Sequence, residues 1–215
     1  MKRFLYTPLL LWLLSPTCFA QETVPWEVFG GYSFQRADAR EYFISKPIPL
    51  PPGPVLSTYA ARHHYVNMNG WELSVTENLN RWFGGTLDIS GYYGSPAIGS
   101  VTTRDHIYSI LYGPQFTYRR DTNIGAPGRL IFSSVPFAHI LFGGAHTSAT
   151  VGPPGPHPSD FSFAMALGGG LDWPLTPDAS IRLLQLDYLR TNALEASQNN
   201  YRASIGVVLR LGKPK

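Results

Sequence analysis

Between Gly70 and Tyr93 the side chains alternate in character with almost no exceptions. Trp71, Leu73 and Val75 are interleaved with Glu72, Ser74 and Thr76. After a short polar stretch, Phe83, Leu87, Ile89 and Tyr93 hold one parity while Thr86, Asp88 and Ser90 hold the other. A period of two with one apolar and one polar face specifies β-strands, and residues 77–81 join them as a hairpin. A chain with such a hairpin must cover the apolar face of both arms, and alternation alone leaves open whether protein or lipid does so.

The polar face favours lipid. It carries Ser, Thr, Gly and a few acids and no Lys; after residue 20 the only lysines are Lys46, Lys213 and Lys215. A face turned to bulk water normally mixes Lys and Glu. The polar set therefore reads as a packed interior and the apolar set as a lipid-facing exterior. Each arm is about ten residues; at about 3.3 Å of rise and a tilt near 45° it spans about 25 Å, the height of the apolar band of a membrane barrel. The alternative is a soluble lipocalin-like carrier with the two faces exchanged.

Residues 1–20 read as a secretory signal peptide. Lys2 and Arg3 precede the apolar run Phe4 to Leu14, and Cys18-Phe19-Ala20 forms a small-residue exit before Gln21. A lipoprotein site at Cys18 is the other reading, but Leu14 lies four residues ahead of the cysteine with Pro16 between. Without residues 1–20 the chain keeps 15 basic against 14 acidic residues, a formal charge of +1, so no nucleic-acid footprint is expected. The single cysteine leaves with the same segment, and with it any disulfide. An exported chain without that staple needs another closure, which a barrel provides. No later stretch has the apolar length of a transmembrane helix, so residues 21–215 are expected to form one domain that crosses the outer membrane of a bacterium with strands.

Taken in order, the alternation gives eight strands: 26–36, 70–76, 82–93, 106–119, one within 130–148, 161–172, 180–191 and 201–211. The facing of the fifth is open, because Ala138 to Gly144 is nearly uniformly apolar. In the seventh, Arg182 and Asp187 fall on opposite parities, which predicts a bulge near Leu184-Gln185. Connections 77–81 and 174–179 are short, 120–128 and 191–200 are medium, 120–128 fitting the turn end only loosely, and 37–67, 95–105 and 149–160 are longer; 46–54 and 151–158 are dense in proline. Short turns at one end and long loops at the other are the habit of an eight-stranded antiparallel up-and-down transmembrane β-barrel.

Charge placement is consistent with that reading. Glu27, Glu72, Asp88, Asp172, Arg182, Arg202 and Arg210 are expected in the barrel interior, because a charge on the lipid face costs about 2–4 kcal/mol near the midplane. Trp26, Trp82 and Trp173 near the turn end, and Tyr93, Tyr108 and Tyr201 near the loop end, are placed as interfacial aromatic girdles.

The chain resembles the small outer-membrane β-barrel family, the OmpA-like or opacity-type porin-domain proteins, over essentially all of residues 21–215. The resemblance is carried by Phe29-Gly30-Gly31-Tyr32-Ser33, by Val75 to Gly84, by Leu167-Gly168-Gly169-Gly170-Leu171-Asp172 and by Ala203 to Leu209. One departure is the end of the last strand, where Leu211 and then Gly212 to Lys215 stand in place of the aromatic residue usual in such barrels. The resemblance implies a membrane barrel and no particular activity.

An interior of eight strands is just wide enough to be filled by side chains, so the inward charges are expected to pair with one another; a narrow pore lined by the same residues is the alternative. Catalysis has one candidate, His146 and Ser148, two apart on one strand face, with Glu195 or Asp160 as the acid of a lipid A deacylase-like hydrolase. Such pairs arise easily by chance, and a non-enzymatic structural or surface-interaction role is the primary expectation. His63, His64 and His157 lack metal-ligand spacing, and no metal or cofactor is expected. The expected partners are outer-membrane lipid and an extracellular ligand or surface partner met by loops 37–67 and 149–160.

Overall fold

The computed structural model describes residues 24–38, 65–95, 97–98, 101–119, 134–151, 159–192 and 197–212. The signal segment, the Pro-rich 46–54, connection 120–128, His63, His64, His157 and Glu195 lie outside the described residues. Nine strands are formed: β1 (Trp26–Asp38), β2 (Tyr65–Asn78), β3 (Phe83–Gly94), β4 (Ala97–Ile98), β5 (Val101–Thr117), β6 (Val135–Val151), β7 (Ser159–Pro174), β8 (Ala179–Thr191) and β9 (Gln198–Leu211). The eight long ones close into an antiparallel barrel. β1 pairs with both β2 and β9, and β3 pairs with β5. β4 adds two residues to the edge of β5.

Both tight turns and the starts and ends of the sheet gather at one end. Asn80 Oδ1 accepts from the amides of Trp82 and Phe83, closing the turn between β2 and β3. Leu175 N and Thr176 N both donate to Ala179 O in the turn between β7 and β8. At the opposite end the ladders run further than the alternation predicts. β2 begins at Tyr65, β5 at Val101 and β9 at Gln198, while β6 continues to Val151. These rungs lie beyond the apolar band, where neither face needs to be apolar. Thr, Arg, Asp and Asn there form strand hydrogen bonds without leaving the period-two signature by which the sequence reveals a strand.

The faces are as the opening hairpin suggests and are not exchanged. Leu73, Ile110, Phe163, Leu186, Ile205 and Val207 are exposed on the outside, while Glu72, Asp88, Ser90, Ser109, Arg202 and Ser204 are buried within. β6 acquires a definite facing: Phe137, His139, Leu141 and Thr147 turn inward, Ile140 and Phe142 outward. The interior is also more apolar than the reading of hydroxyls and carboxylates implied. Leu111, Leu141, Ala145, Ala164, Ala166 and Leu189 pack as one layer, and Ala37, Met68, Tyr92 and Ile107 as another.

The bulge falls at Leu183 and Leu184, both exposed, with Arg182 and Gln185 on either side of the register shift. Two consecutive outward residues re-phase the strand. Arg182 and Asp187, on opposite parities by counting, therefore both reach the interior.

Candidate functional site: the charged barrel interior

Arg202 on β9 is the centre of the interior and is 1% exposed. Its Nη1 and Nη2 donate to the two carboxylate oxygens of Asp88 on β3 at 2.9 and 3.1 Å, a bidentate pair. Its Nε donates to Asp187 Oδ2 on β8 at 2.7 Å and lies 3.5 Å from Glu72 Oε2 on β2. Asp187 Oδ1 is 2.8 Å from His139 Nε2 on β6. Gln185 Nε2 donates to both Glu72 Oε1 and Asp187 Oδ2 at 2.7 Å, and the Ser204 hydroxyl donates to Glu72 Oε2. One network thus joins five strands across the lumen.

A second guanidinium lies closer to the turn end. Arg182 donates through Nε and Nη2 to Asp172 at 2.8 and 3.1 Å, and through Nη1 to Gln185 Oε1 at 2.7 Å. Its guanidinium carbon sits 4.2 Å from the ring centre of Phe29 and 4.1 Å from that of Phe137. Each such cation–π contact contributes about 0.5–2 kcal/mol, the larger values where water is excluded. Gln185 links the two guanidinium systems.

The turn end of the barrel is closed by a third group. Glu27 accepts from Arg119 Nη2 at 3.0 Å and from Arg210 Nε at 3.2 Å. Arg119 also donates to Asn78 Oδ1 at 3.1 Å and to the Arg81 carbonyl at 2.8 Å, and Arg81 returns a bond to the Arg119 carbonyl. The structure therefore brings together Glu72, Asp88 and Arg202 in one cluster, Asp172 and Arg182 in the next, and Glu27 and Arg210 in the last.

Three members were missed by sequence reasoning. Asp187 falls by simple counting on the parity opposite Arg182, and only the bulge brings it inside. His139 sits in the apolar run whose facing was open, and Gln185 adjoins the bulge itself. The structure accounts for one feature of the sequence, the glycine run at 168–170: Gly168 pairs with Asp187 across β7 and β8. A Cβ at Gly168 would collide with the Asp187 carboxylate and the Leu186 carbonyl, so this glycine makes room for a charged group. The other glycines of that run likewise face backbone or a neighbouring ring.

Among the aromatics, Trp26, Trp82, Tyr93, Tyr108 and Tyr201 are exposed on the outer wall and Trp173 is half-buried. Tyr93 accepts from Tyr108 and from the Trp71 indole, making a polar-tipped cluster at the loop end. His146 is exposed on the outer wall, and Ser148 holds the same parity on β6. Asp160 pairs with Thr147, whose side chain is buried inside, so that acid holds the opposite parity to His146 and Ser148. Among the described residues no cluster of His, Cys, Asp and Glu is arranged to hold a metal ion.

The chain is similar to the crystal structure of Ail, the attachment invasion locus protein of Yersinia pestis. The TM-score is 0.50 at 15% identity, covering 87% of this chain and 100% of that one. The same protein in complex with the heparin analogue sucrose octasulfate gives 0.50 at 14% identity, with the same coverage. Neisserial surface protein A gives 0.54 at 14% identity, covering 86% of this chain and 97% of that one. No protein-family model and no curated protein sequence matches. At these identities the likeness is one of fold, and the shared fold is that of the small outer-membrane β-barrels.

Proposed function

We propose that this chain is an integral outer-membrane protein whose plugged barrel anchors surface loops, with a structural or interaction role and no catalytic one. The single observation that carries this reading is the polarity of the wall: an apolar exterior surrounds an interior in which Arg202, Glu72, Asp88 and Asp187 are all buried. A water-soluble monomer rarely exposes a contiguous apolar patch beyond a few hundred Å². On this reading the termini and tight turns face the periplasm, and the Pro-rich connections within 37–67 and 149–160 face outward to meet a surface partner. The fold shared with Ail, named for attachment and invasion, is in keeping with such a role. Function in barrels of this size lies in the loops, because the lumen is occupied.

The test is expression with the native N-terminal segment, fractionation, and electrophoresis with and without boiling. The expected result is outer-membrane recovery of a heat-modifiable band and, in planar bilayers, no steady conductance above background. Recovery in a soluble fraction would remove the membrane reading, and stable open-channel currents would replace the plug with a pore.

A further inference from the structure

Two arginines of the outer wall take no part in the interior network. Arg36 on β1 lies between the inward residues Gln35 and Ala37, and Arg190 on β8 between Leu189 and Thr191, so both guanidinium groups are exposed outside. Arg36 pairs with Tyr201 on β9, and Tyr201 pairs with Tyr188, two residues before Arg190. Rows of paired residues run obliquely round the barrel. From Ser33 a row passes through Gly70, Tyr92 and Ile107 to Thr147. The other way it passes through Ser204, Gln185 and Gly170 to Phe137, ten residues nearer the turn end of β6. Shared over eight crossings, that offset lowers a row by about one and a quarter residues per strand. Two crossings from Arg36 therefore end below it at Tyr188, and Arg190 is back at its level. With strands about 4.8 Å apart and tilted about 40°, the two backbone positions are about 12 Å apart across β9. Arg36 also stands ten residues beyond Trp26 on β1, about 25 Å along the barrel axis. The pair thus marks the loop-end edge of the apolar wall, with Tyr201 of the aromatic girdle between them.

Inside the barrel Arg182 and Arg202 hold carboxylates, and at the turn end Arg119 and Arg210 share Glu27. Among the described residues neither Arg36 nor Arg190 forms an ion pair. Arg36 stacks over the Tyr65 ring at 4.5 Å, which leaves its in-plane N–H donors available. Arg190 donates from Nη2 to Ser197 Oγ at 3.1 Å, one bond from a group with five donors. We infer that Arg36 and Arg190 bind the two phosphate groups of a single lipid A-type glycolipid in the leaflet at the loop end, its headgroup lying across β9. The inference rests on the membrane reading above and names a lipid partner for that wall. Charge and spacing select this occupant. A guanidinium at headgroup level binds phosphate through paired N–H donors. Because Arg36 leans onto Tyr65 of β2, away from β9, the two cations are held apart and suit two anions on one headgroup rather than one shared phosphate. Tyr201 and Tyr188, in ring contact at 5.8 Å, give the space between them an amphipathic floor.

The test expresses the full chain, extracts the barrel in detergent and titrates it with lipid under native mass spectrometry. The probes are diphosphoryl lipid A, monophosphoryl lipid A and phosphatidylglycerol. The proteins are wild type, Arg36→Gln, Arg190→Gln, and Arg104→Gln as a control on the exposed outer wall of β5. The expected result is one diphosphoryl lipid A per barrel, bound about tenfold more tightly than the monophosphoryl form or phosphatidylglycerol. Arg36→Gln and Arg190→Gln should each weaken it about tenfold and remove the preference for the second phosphate, while Arg104→Gln changes nothing. All variants are at exposed positions and should keep the heat-modifiable band; if one does not, the other and the comparison of the three lipids on wild type decide. Equal binding of all three lipids, or an equal loss in Arg104→Gln, overturns the two-phosphate site and leaves the membrane barrel standing. Recovery of the wild type in a soluble fraction overturns both readings.

Discussion

Arg202 shows how much of this barrel depends on single side chains. Three carboxylates, on Glu72, Asp88 and Asp187, converge on one guanidinium from three other strands. Removing one partner of a buried ion pair leaves an uncompensated charge and costs about 3–5 kcal/mol. Arg202→Met should therefore lower the unfolding free energy by about that amount, read as a shift in the urea midpoint in vesicles, with a partial return in the Arg202→Met, Asp88→Asn double variant. Gly168→Ala places a methyl group against the Asp187 carboxylate and should cost about 1–3 kcal/mol by the same measurement. Much at this scale was not legible beforehand. Glu72, Asp88 and Arg202 stand on strictly alternating strands, so parity alone assigned them. Phe29, Val208 and Leu189 are apolar residues whose own chemistry would suit lipid, and only the parity they share with Glu27, Arg210 and Asp187 places them inside.

Strand β8 is the element where counting fails and geometry succeeds. Leu183 and Leu184 together oppose the single residue Ile205 between the rungs Arg182–Gly206 and Gln185–Ser204. The same extra residue appears against β7, between Leu171–Leu184 and Asp172–Arg182. Deleting Leu184 therefore leaves every other β8 residue facing as before and restores an unbroken ladder on both sides. This variant should still give a heat-modifiable band. Deleting Ile205 from the regular strand β9 has the opposite effect. It sets Ser204 beside Gly206 and turns one half of the strand inside out, so the folded band should be lost. Strand ends were legible only where the apolar band imposes alternation. At the loop end Arg104-Asp105 and Gln198 to Asn200 continue the ladders with polar residues on both faces, and the sequence there reads as loop.

For the whole molecule, the central claim is that acyl chains surround a barrel whose middle is polar and closed. Strand β9 offers a direct ruler, because Tyr201, Ala203, Ile205, Val207 and Leu209 all hold the outward parity from one end of the wall to the other. Single cysteines at these five positions, each carrying a nitroxide spin label, report collision with dissolved oxygen and with a water-soluble nickel chelate in reconstituted vesicles. Oxygen collision should peak at Ile205 and fall towards both Tyr201 and Leu209, with the nickel chelate showing the reverse profile. A flat profile, with the chelate reaching Ile205 as freely as Tyr201, would mean that water covers the wall and would contradict the account.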